Sequence, residues 1–134
     1  MKVAVFDLGS NTTKLLVAEL HDHSPLRILA EESRACRLTT GGGEDFRFPE
    51  KSIERVLEVL EELTEIVRRH EVDRMEAVAT EAFRRSKNSH DLISLAKQSL
   101  DLDISVLSGL EEAGAVATGL LCDPLISELD DFHA

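Results

Sequence analysis

Apolar residues follow two different spacings along this chain, and the change of spacing divides it into strands and helices. Two short apolar runs, 3–6 and 15–18, flank a polar stretch of Gly, Ser, Asn and Thr. This arrangement is typical of a β-hairpin, with strands at 2–7 and 14–20. Residues 26–38 predict a third strand or a pair of strand pieces. The first part of the chain therefore predicts a meander of antiparallel strands.

Helical spacing begins near residue 50. Apolar residues recur at steps of three and four between 50 and 70 and predict an amphipathic helix. Its apolar face comprises Ile53, Val56, Leu57, Leu60, Leu63 and Val67. The opposite face predicts a solvated surface and comprises Glu54, Glu58, Glu61, Glu62 and Glu65. A strand at 75–80, a helix at 89–100 with Asn88 as its N-cap, and a strand at 103–107 follow.

The last predicted helix starts with a capping box, in which Ser108 is the N-cap and Glu111 the N3 residue. The order is then three strands, helix, strand, helix, strand, helix. It predicts an α/β fold with a mixed sheet and helices on its faces, in the ribonuclease-H-like layout of actin-like ATPase and sugar-kinase lobes. We expect one lobe at 1–121 and an acidic connector at 122–134.

Composition and charge narrow the classes of function. The chain has 134 residues, a net charge of −11, and no apolar run as long as a membrane span. Its acidic excess lies in 44–134 and disfavours a nucleic-acid partner. Cys36 and Cys122 lack metal-site spacing, and no signal peptide is recognisable, so the expected compartment is the cytoplasm. An anionic substrate would need local cations, for which the candidates are Lys14, Arg34, Arg37, Arg84 and Arg85.

The stretch from Asp7 to Thr12 carries the strongest chemical signal. Asp7 closes a buried strand, where a carboxylate is costly to desolvate unless a cation or a hydrogen-bond donor meets it. Gly9 allows close approach of the backbone, and Ser10, Asn11 and Thr12 offer successive N–H groups and hydroxyls. These features predict a phosphate cradle with a metal-facing carboxylate at its root. The alternative is a polar turn in which Asp7 and Asn11 satisfy only local backbone groups.

Four motifs in a compatible order resemble those of the exopolyphosphatase / guanosine pentaphosphate phosphohydrolase family. They are 7–15, which matches D-[IL]-G-S-N-[ST]; Arg34 and 37–42, an arginine-bearing strand and a Gly-rich loop; 79–88, which resembles A-T-x-A-x-R-x-A-x-N; and 108–113, which resembles S-G-x-E-E-A. One departure is that 39–42 reads Thr-Thr-Gly-Gly where the family usually has G-[ED]-G-L. Together the motifs extend over nearly the whole chain.

The resemblance implies a role for each matched residue. Asp7 would hold Mg²⁺ through water, as in related phosphoryl-transfer lobes. The implied phosphate-binding residues are Gly9, Ser10, Asn11, Thr12, Arg37, Arg84 and Asn88. The residues alone also allow Arg84 to form a surface salt bridge and Asn88 to act only as a helix cap.

Glu112 is the implied general base. Glu111 is expected to be used in capping its own helix, which leaves Glu112 as the available carboxylate near a helix N-terminus. The family resemblance likewise places the base at the second glutamate of this motif. The alternative is an exposed first-turn glutamate that only complements the helix dipole.

The implied reaction is Mg²⁺-assisted hydrolysis of a terminal phosphoanhydride in inorganic polyphosphate or guanosine pentaphosphate. In the resembled family the active site lies between two lobes. We therefore expect this chain to be an isolated first lobe, inactive without the second lobe of the same protein. The face that would meet the second lobe would then be exposed, and through it the chain is expected to associate as a homodimer. Two alternatives stay open: a lobe of a related sugar or acetate kinase, and a non-catalytic domain that binds phosphorylated ligands or a protein.

Overall fold

The computed structural model describes residues 1–38 and 46–108. The described strands are β1 (Lys2–Leu8), β2 (Thr12–Glu19), β3 (Arg27–Ala35), β4 (Arg74–Ala79) and β5 (Ile104–Val106). The described helices are α1 (Glu50–His70), α2 (Glu81–Arg85) and α3 (Ser89–Leu100). The predicted helix at 50–70 is confirmed, as is the one at 89–100.

The strands form one five-stranded mixed sheet in the order β3-β2-β1-β4-β5. β1 pairs with β2, and β2 with β3, in antiparallel fashion, while β1–β4 and β4–β5 are parallel. The predicted mixed α/β sheet is confirmed. β1, β4 and β5 therefore end on one side of the sheet, at Leu8, Ala79 and Val106, and we call this side the carboxyl edge. Ligand sites of open α/β sheets lie at such edges.

Alternation along β1 decides which side of the sheet becomes the core. Ala4, Phe6 and Leu8 are buried, whereas Val5 and Asp7 point to the opposite face and are exposed. A strand with period two necessarily separates its side chains in this way. Asp7 therefore lies outside the core, although its neighbours Phe6 and Leu8 are fully buried.

Helix α1 buries the apolar side that its sequence predicts, and it packs against β2 and α3. Its buried residues are Ile53, Val56, Val59, Leu60, Leu63, Thr64 and Val67. The five glutamates predicted to form the solvated face are all exposed. None of the helices within 1–38 and 46–108 is long and apolar enough to span a membrane.

Apart from shifts of one or two residues at other strand ends, the structure differs from the sequence prediction at β3, at β5 and at one short helix. β3 ends at Ala35 instead of 38, because the next three amides leave the strand ladder and bond to the β1–β2 turn. β5 is limited to Ile104–Val106. The segment Glu81–Arg85, for which the sequence predicts no helix, is the short helix α2. The predicted helix after Ser108 and the connector at 122–134 lie outside the described residues.

Candidate active site

The turn between β1 and β2 is closed by a contact that only glycine fits comfortably. The Gly9 N–H donates to the Thr12 carbonyl over 3.0 Å. A Cβ on Gly9 would lie 3.1 Å from that same oxygen, which is tighter than ordinary van der Waals contact. The turn thus favours glycine at this position, and the Gly9 amide bonds within the turn. A phosphate-binding role for Gly9 stays a prediction.

The carbonyl groups of the turn face the segment that follows β3. The Asn11 carbonyl accepts from the Cys36 N–H (2.7 Å) and the Arg37 N–H (3.1 Å), and the Ser10 carbonyl accepts from the Leu38 N–H (2.8 Å). In a planar trans peptide the N–H points opposite to the C=O. The amides that share these two peptide planes, those of Asn11 and Thr12, therefore point away from 36–38.

This arrangement gives the turn a polarity that suits an anion. The negative ends of two peptide dipoles are neutralised by donors within the protein, and their positive ends are directed to the other side. Successive backbone N–H groups that converge in a turn form anion-binding concavities. The amides of the turn can be recognised in the sequence as possible donors. The residues that orient them, 36–38, lie more than twenty positions further along the chain.

Arg37 is held in an uncommon backbone conformation beside this turn. Its φ is 48°, which is the left-handed region, and its side chain is exposed. The Ser52 hydroxyl, in the first turn of α1, donates to the Arg37 carbonyl over 3.1 Å. A non-glycine residue in this region costs about 1–3 kcal/mol and persists where its surroundings fix it. The contacts of Arg37 with Asn11 and Ser52 supply that restraint.

Asp7 lies at the carboxyl edge on the face opposite the core. It pairs across the strands with Lys14 on β2 and with Val78 on β4. Among the described residues no group of three or more His, Cys, Asp or Glu side chains is arranged to hold a metal. Mg²⁺ commonly uses one or two carboxylates together with water and substrate phosphates. One exposed carboxylate at this edge fits that mode of binding.

Arg84 reaches the same edge from α2. Its guanidinium donates to the carbonyl of Leu107, and the Leu107 N–H in turn donates to the Ala79 carbonyl over 2.8 Å. The guanidinium is thereby fixed where β4 and β5 end. Arginine has five N–H donors, so the bond to this carbonyl uses only part of its donor capacity.

Asn88 precedes α3, but the prediction that its side chain caps that helix is wrong. Its carboxamide oxygen accepts from the Phe48 N–H (2.8 Å) and the Ser86 hydroxyl (2.8 Å), and its NH₂ donates to the Phe48 carbonyl (3.0 Å). Asn88 holds the N-cap position, but its side chain makes no capping hydrogen bond within the described residues. Asn88 thus fixes residue 48 to the start of α3, and its phosphate-binding role stays a prediction.

We expect Asn88→Ala to lower the free energy of unfolding by about 1–3 kcal/mol, because it leaves partly buried backbone groups of Phe48 without their partners. Urea denaturation measures this loss. Gln98→Ala, which truncates an amide on the exposed side of α3, is the matched control. If the two substitutions cost the same, the anchoring role of Asn88 is wrong.

Arg34 is engaged away from the turn. Its guanidinium forms ion pairs with Glu32 (2.8 Å) and with Glu62 on α1 (3.0 Å). Hydrogen bonds to Glu32 and Glu62 raise the pKa of Arg34. The side chain therefore links β3 to α1, and this use competes with its predicted contact to an anion.

Glu112, the predicted general base, lies outside the described residues, as does its neighbour Glu111. Ser108 is the last residue described before them, and it follows β5 at the carboxyl edge. The structure brings together at or beside this edge the 9–12 turn, Asp7, Arg37 and Arg84. It assigns Asn88 and Arg34 to contacts within the fold.

Known proteins are similar to this chain in both sequence and fold. The model of the Ppx/GppA phosphatase family matches residues 16–126. A guanosine-5'-triphosphate,3'-diphosphate pyrophosphatase from Pseudoalteromonas atlantica is 32% identical over 117 residues, which cover 87% of this chain and 23% of the relative. The chain thus spans about a quarter of that relative's length.

Two solved structures have a closely similar fold. The crystal structure of the Aquifex aeolicus Ppx/GppA family member has a TM-score of 0.76 and 35% identity, over 81% of this chain and 35% of the other. An exopolyphosphatase from Cytophaga hutchinsonii has a TM-score of 0.77 and 28% identity, over 82% of this chain and 35% of the other. The chain corresponds to about a third of each.

Proposed function

The chain belongs to the Ppx/GppA phosphatase family, and from this we propose that it is the first lobe of a phosphoanhydride hydrolase. The complete protein would release the terminal phosphate of inorganic polyphosphate, guanosine pentaphosphate or both. The relatives' names carry these two substrate classes. The test is phosphate release by the complete protein from each substrate in the presence of Mg²⁺.

The observation that carries the proposal is the polarity of the β1–β2 turn. Its Ser10 and Asn11 carbonyls are bound by amides of 36–38, and its own amides at Asn11 and Thr12 are directed away from them. A transferred phosphoryl group carries its charge on peripheral oxygens, so catalysis depends mainly on positioning and on fixed positive dipoles. A turn of this polarity supplies such dipoles without reorganisation.

The side chains around the turn would supply the other catalytic functions, which are phosphate binding, proton transfer and charge neutralisation. Arg84, at the carboxyl edge, and Arg37, which follows β3 beside the turn, would bind phosphate oxygens through charged hydrogen bonds. Glu112 would accept a proton from the attacking water, and no covalent nucleophile is needed. Mg²⁺, when bound near Asp7, would offset negative charge on the transferred group. In this proposal Gly9 shapes the turn, and Asn88 supports the segment at Phe48.

Other parts of the proposal concern the surroundings of the lobe. We propose that residues 1–121 form the lobe and that 122–134 connect it to a second lobe of the same protein. The second lobe would form the opposite wall of the site. We also propose that the protein associates as a homodimer. The cytoplasm is the proposed compartment, on the basis of cysteine usage in the sequence.

Asp7→Asn in the complete protein should shift the Mg²⁺ dependence of activity to higher concentration, by roughly 10- to 100-fold, as for other groups that orient a bound metal. The amide is neutral and nearly isosteric, and Asp7 is exposed, so the fold should not change. Activity titrated against Mg²⁺ measures the shift. Asp22→Asn, in the exposed turn after β2, is the control. An unchanged metal curve for Asp7→Asn would leave Asp7 a turn residue.

A further inference from the structure

A groove lies between α1 and α3 on the solvent side of the two helices. The helices pack against each other, and a cavity of about 680 Å³ opens beside their contact. Its lining includes Glu50, Ile53, Glu54 and Leu57 of α1 and Asp91 and Leu95 of α3. We call this cavity the α1–α3 groove. The 9–12 turn, Asp7 and Arg84 are not among the described residues that line it.

Three apolar side chains give the groove a surface on which another apolar group can pack. Ile53 is buried, Leu57 is half-buried against the core, and Leu95 is 39% exposed. Ile53 and Leu57 are four residues apart, so they lie one above the other on α1. A single exposed leucine is ordinary on a protein surface, but Leu95 shares its groove with two further apolar residues. We call these three residues the apolar strip.

Carboxylates border the apolar strip. Glu50, Glu54 and Asp91 are exposed and line the same groove, in which the described lining contains one cation, Arg47. Glu50 and Glu54 are four residues apart and lie on one side of α1. The acidic border continues in the next cavity along α1, whose lining includes Glu58, Glu61 and Glu65. The groove thus combines an apolar surface with a negative rim.

The charge of the rim restricts what can occupy the groove. Neither 39–45 nor 109–134 contains a lysine or an arginine, and a second copy of the chain carries the same net charge of −11. Like charges repel, so these occupants would oppose the rim. A helix with one apolar face bordered by lysine or arginine complements both the strip and the rim.

We propose that the α1–α3 groove binds a positively charged amphipathic helix of a partner protein. The apolar face of this helix packs on the apolar strip, and its cationic side chains pair with Glu50, Glu54 and Asp91. The apolar contact supplies affinity, while the charges accelerate association and exclude acidic partners. This interaction surface does not depend on the catalytic function proposed above.

Equilibrium binding of a synthetic peptide at physiological ionic strength tests the inference. The probe is a peptide of leucine and lysine, about 18 residues long so that it can form a helix, with its leucines on one helical face. One control peptide has the same composition with leucine distributed around the helix. A second control peptide has glutamate in place of lysine. Each peptide is titrated into the 134-residue chain and into the complete protein.

Two variants of the chain remove the two properties of the groove separately. Leu95→Gln removes part of the apolar strip, and its matched control is Ile28→Gln, at an exposed apolar residue on β3. Glu50→Gln, Glu54→Gln removes two charges of the rim. Its matched control removes two charges from exposed residues elsewhere and is Asp22→Asn, Glu31→Gln. Circular dichroism verifies that each variant is folded.

We expect saturable binding of the amphipathic peptide to both proteins. Leu95→Gln should lower its affinity by roughly 3- to 10-fold, because a partly exposed leucine loses its apolar contact. The variant without the two rim charges should lose roughly 2- to 30-fold, the range for two exposed ion pairs. Each control variant should change the affinity less than about twofold.

Several outcomes would overturn the inference. Absence of binding to the unaltered chain would do so, as would equal losses in the test and control variants. Equal affinity for the peptide with distributed leucines would show attraction by charge alone. Binding to the 134-residue chain but not to the complete protein would show that another part of the same protein, and not a partner, covers the groove.

Discussion

Glu112→Gln in the complete protein should lower the turnover rate by roughly 10²- to 10⁴-fold, the usual contribution of a positioned general base. The amide cannot accept the proton of the attacking water, yet it is nearly isosteric with the carboxylate. Substrate binding should therefore change little. Steady-state kinetics with polyphosphate and with guanosine pentaphosphate separates the loss in kcat from any change in KM.

Glu111→Gln is the matched control, because it makes the same chemical change one residue earlier. Glu111 occupies the N3 position of the capping box and is expected to contribute mainly to the helix start. Because glutamine at N3 also completes a capping box, its substitution should change both stability and turnover little. If Glu111→Gln reduces turnover far more than Glu112→Gln and both proteins are folded, the base has been assigned to the wrong glutamate.

The 134-residue chain by itself should fold but show almost no phosphatase activity. Its described core contains one face of α1, the buried side of the sheet and the Phe46–Phe48–Phe83 cluster. However, the 9–12 turn and Arg84 provide only one wall of a cleft. Without an opposing wall, water weakens each electrostatic contact and the terminal phosphate is not oriented.

Phosphate release from polyphosphate with Mg²⁺ measures this activity, and circular dichroism measures the mixed helix and strand content. The complete protein, assayed at the same molar concentration, is the positive control. Turnover near an ordinary enzymatic rate, about 1 s⁻¹ or more, by the purified chain would contradict the requirement for a second lobe.

Long periodic elements could be predicted from the sequence because their pattern is repeated many times. In helix α1 the apolar residues are on the buried face and the glutamates on the exposed face, as their spacing in the sequence predicts. The β1–β2 hairpin likewise follows from two apolar runs around a polar turn. Helix α2 was missed because five residues are too few to establish a helical period.

The candidate site was harder to predict because its geometry depends on distant partners. The residues of the 9–12 turn could be predicted as candidate phosphate ligands from their types, but the orientation of their amides depends on hydrogen bonds to Cys36, Arg37 and Leu38. Asparagine is a common residue type at helix N-caps, and only the contacts of Asn88 with Phe48 show that its side chain anchors residue 48 instead. Local pattern cannot report contacts across such separations in sequence.

The two restraints around 39–45 have an evolutionary consequence. Residues 36–38 are bonded to the β1–β2 turn, and Phe46 and Phe48 are bonded to Lys87 and Asn88. Because both flanks are held independently, insertions between them would lengthen the connection without displacing the turn. The entropic cost of such growth is small, about 0.6 kcal/mol for each doubling of length. Descendants of one ancestor could therefore differ in the length of this stretch while inheriting the same β1–β2 turn.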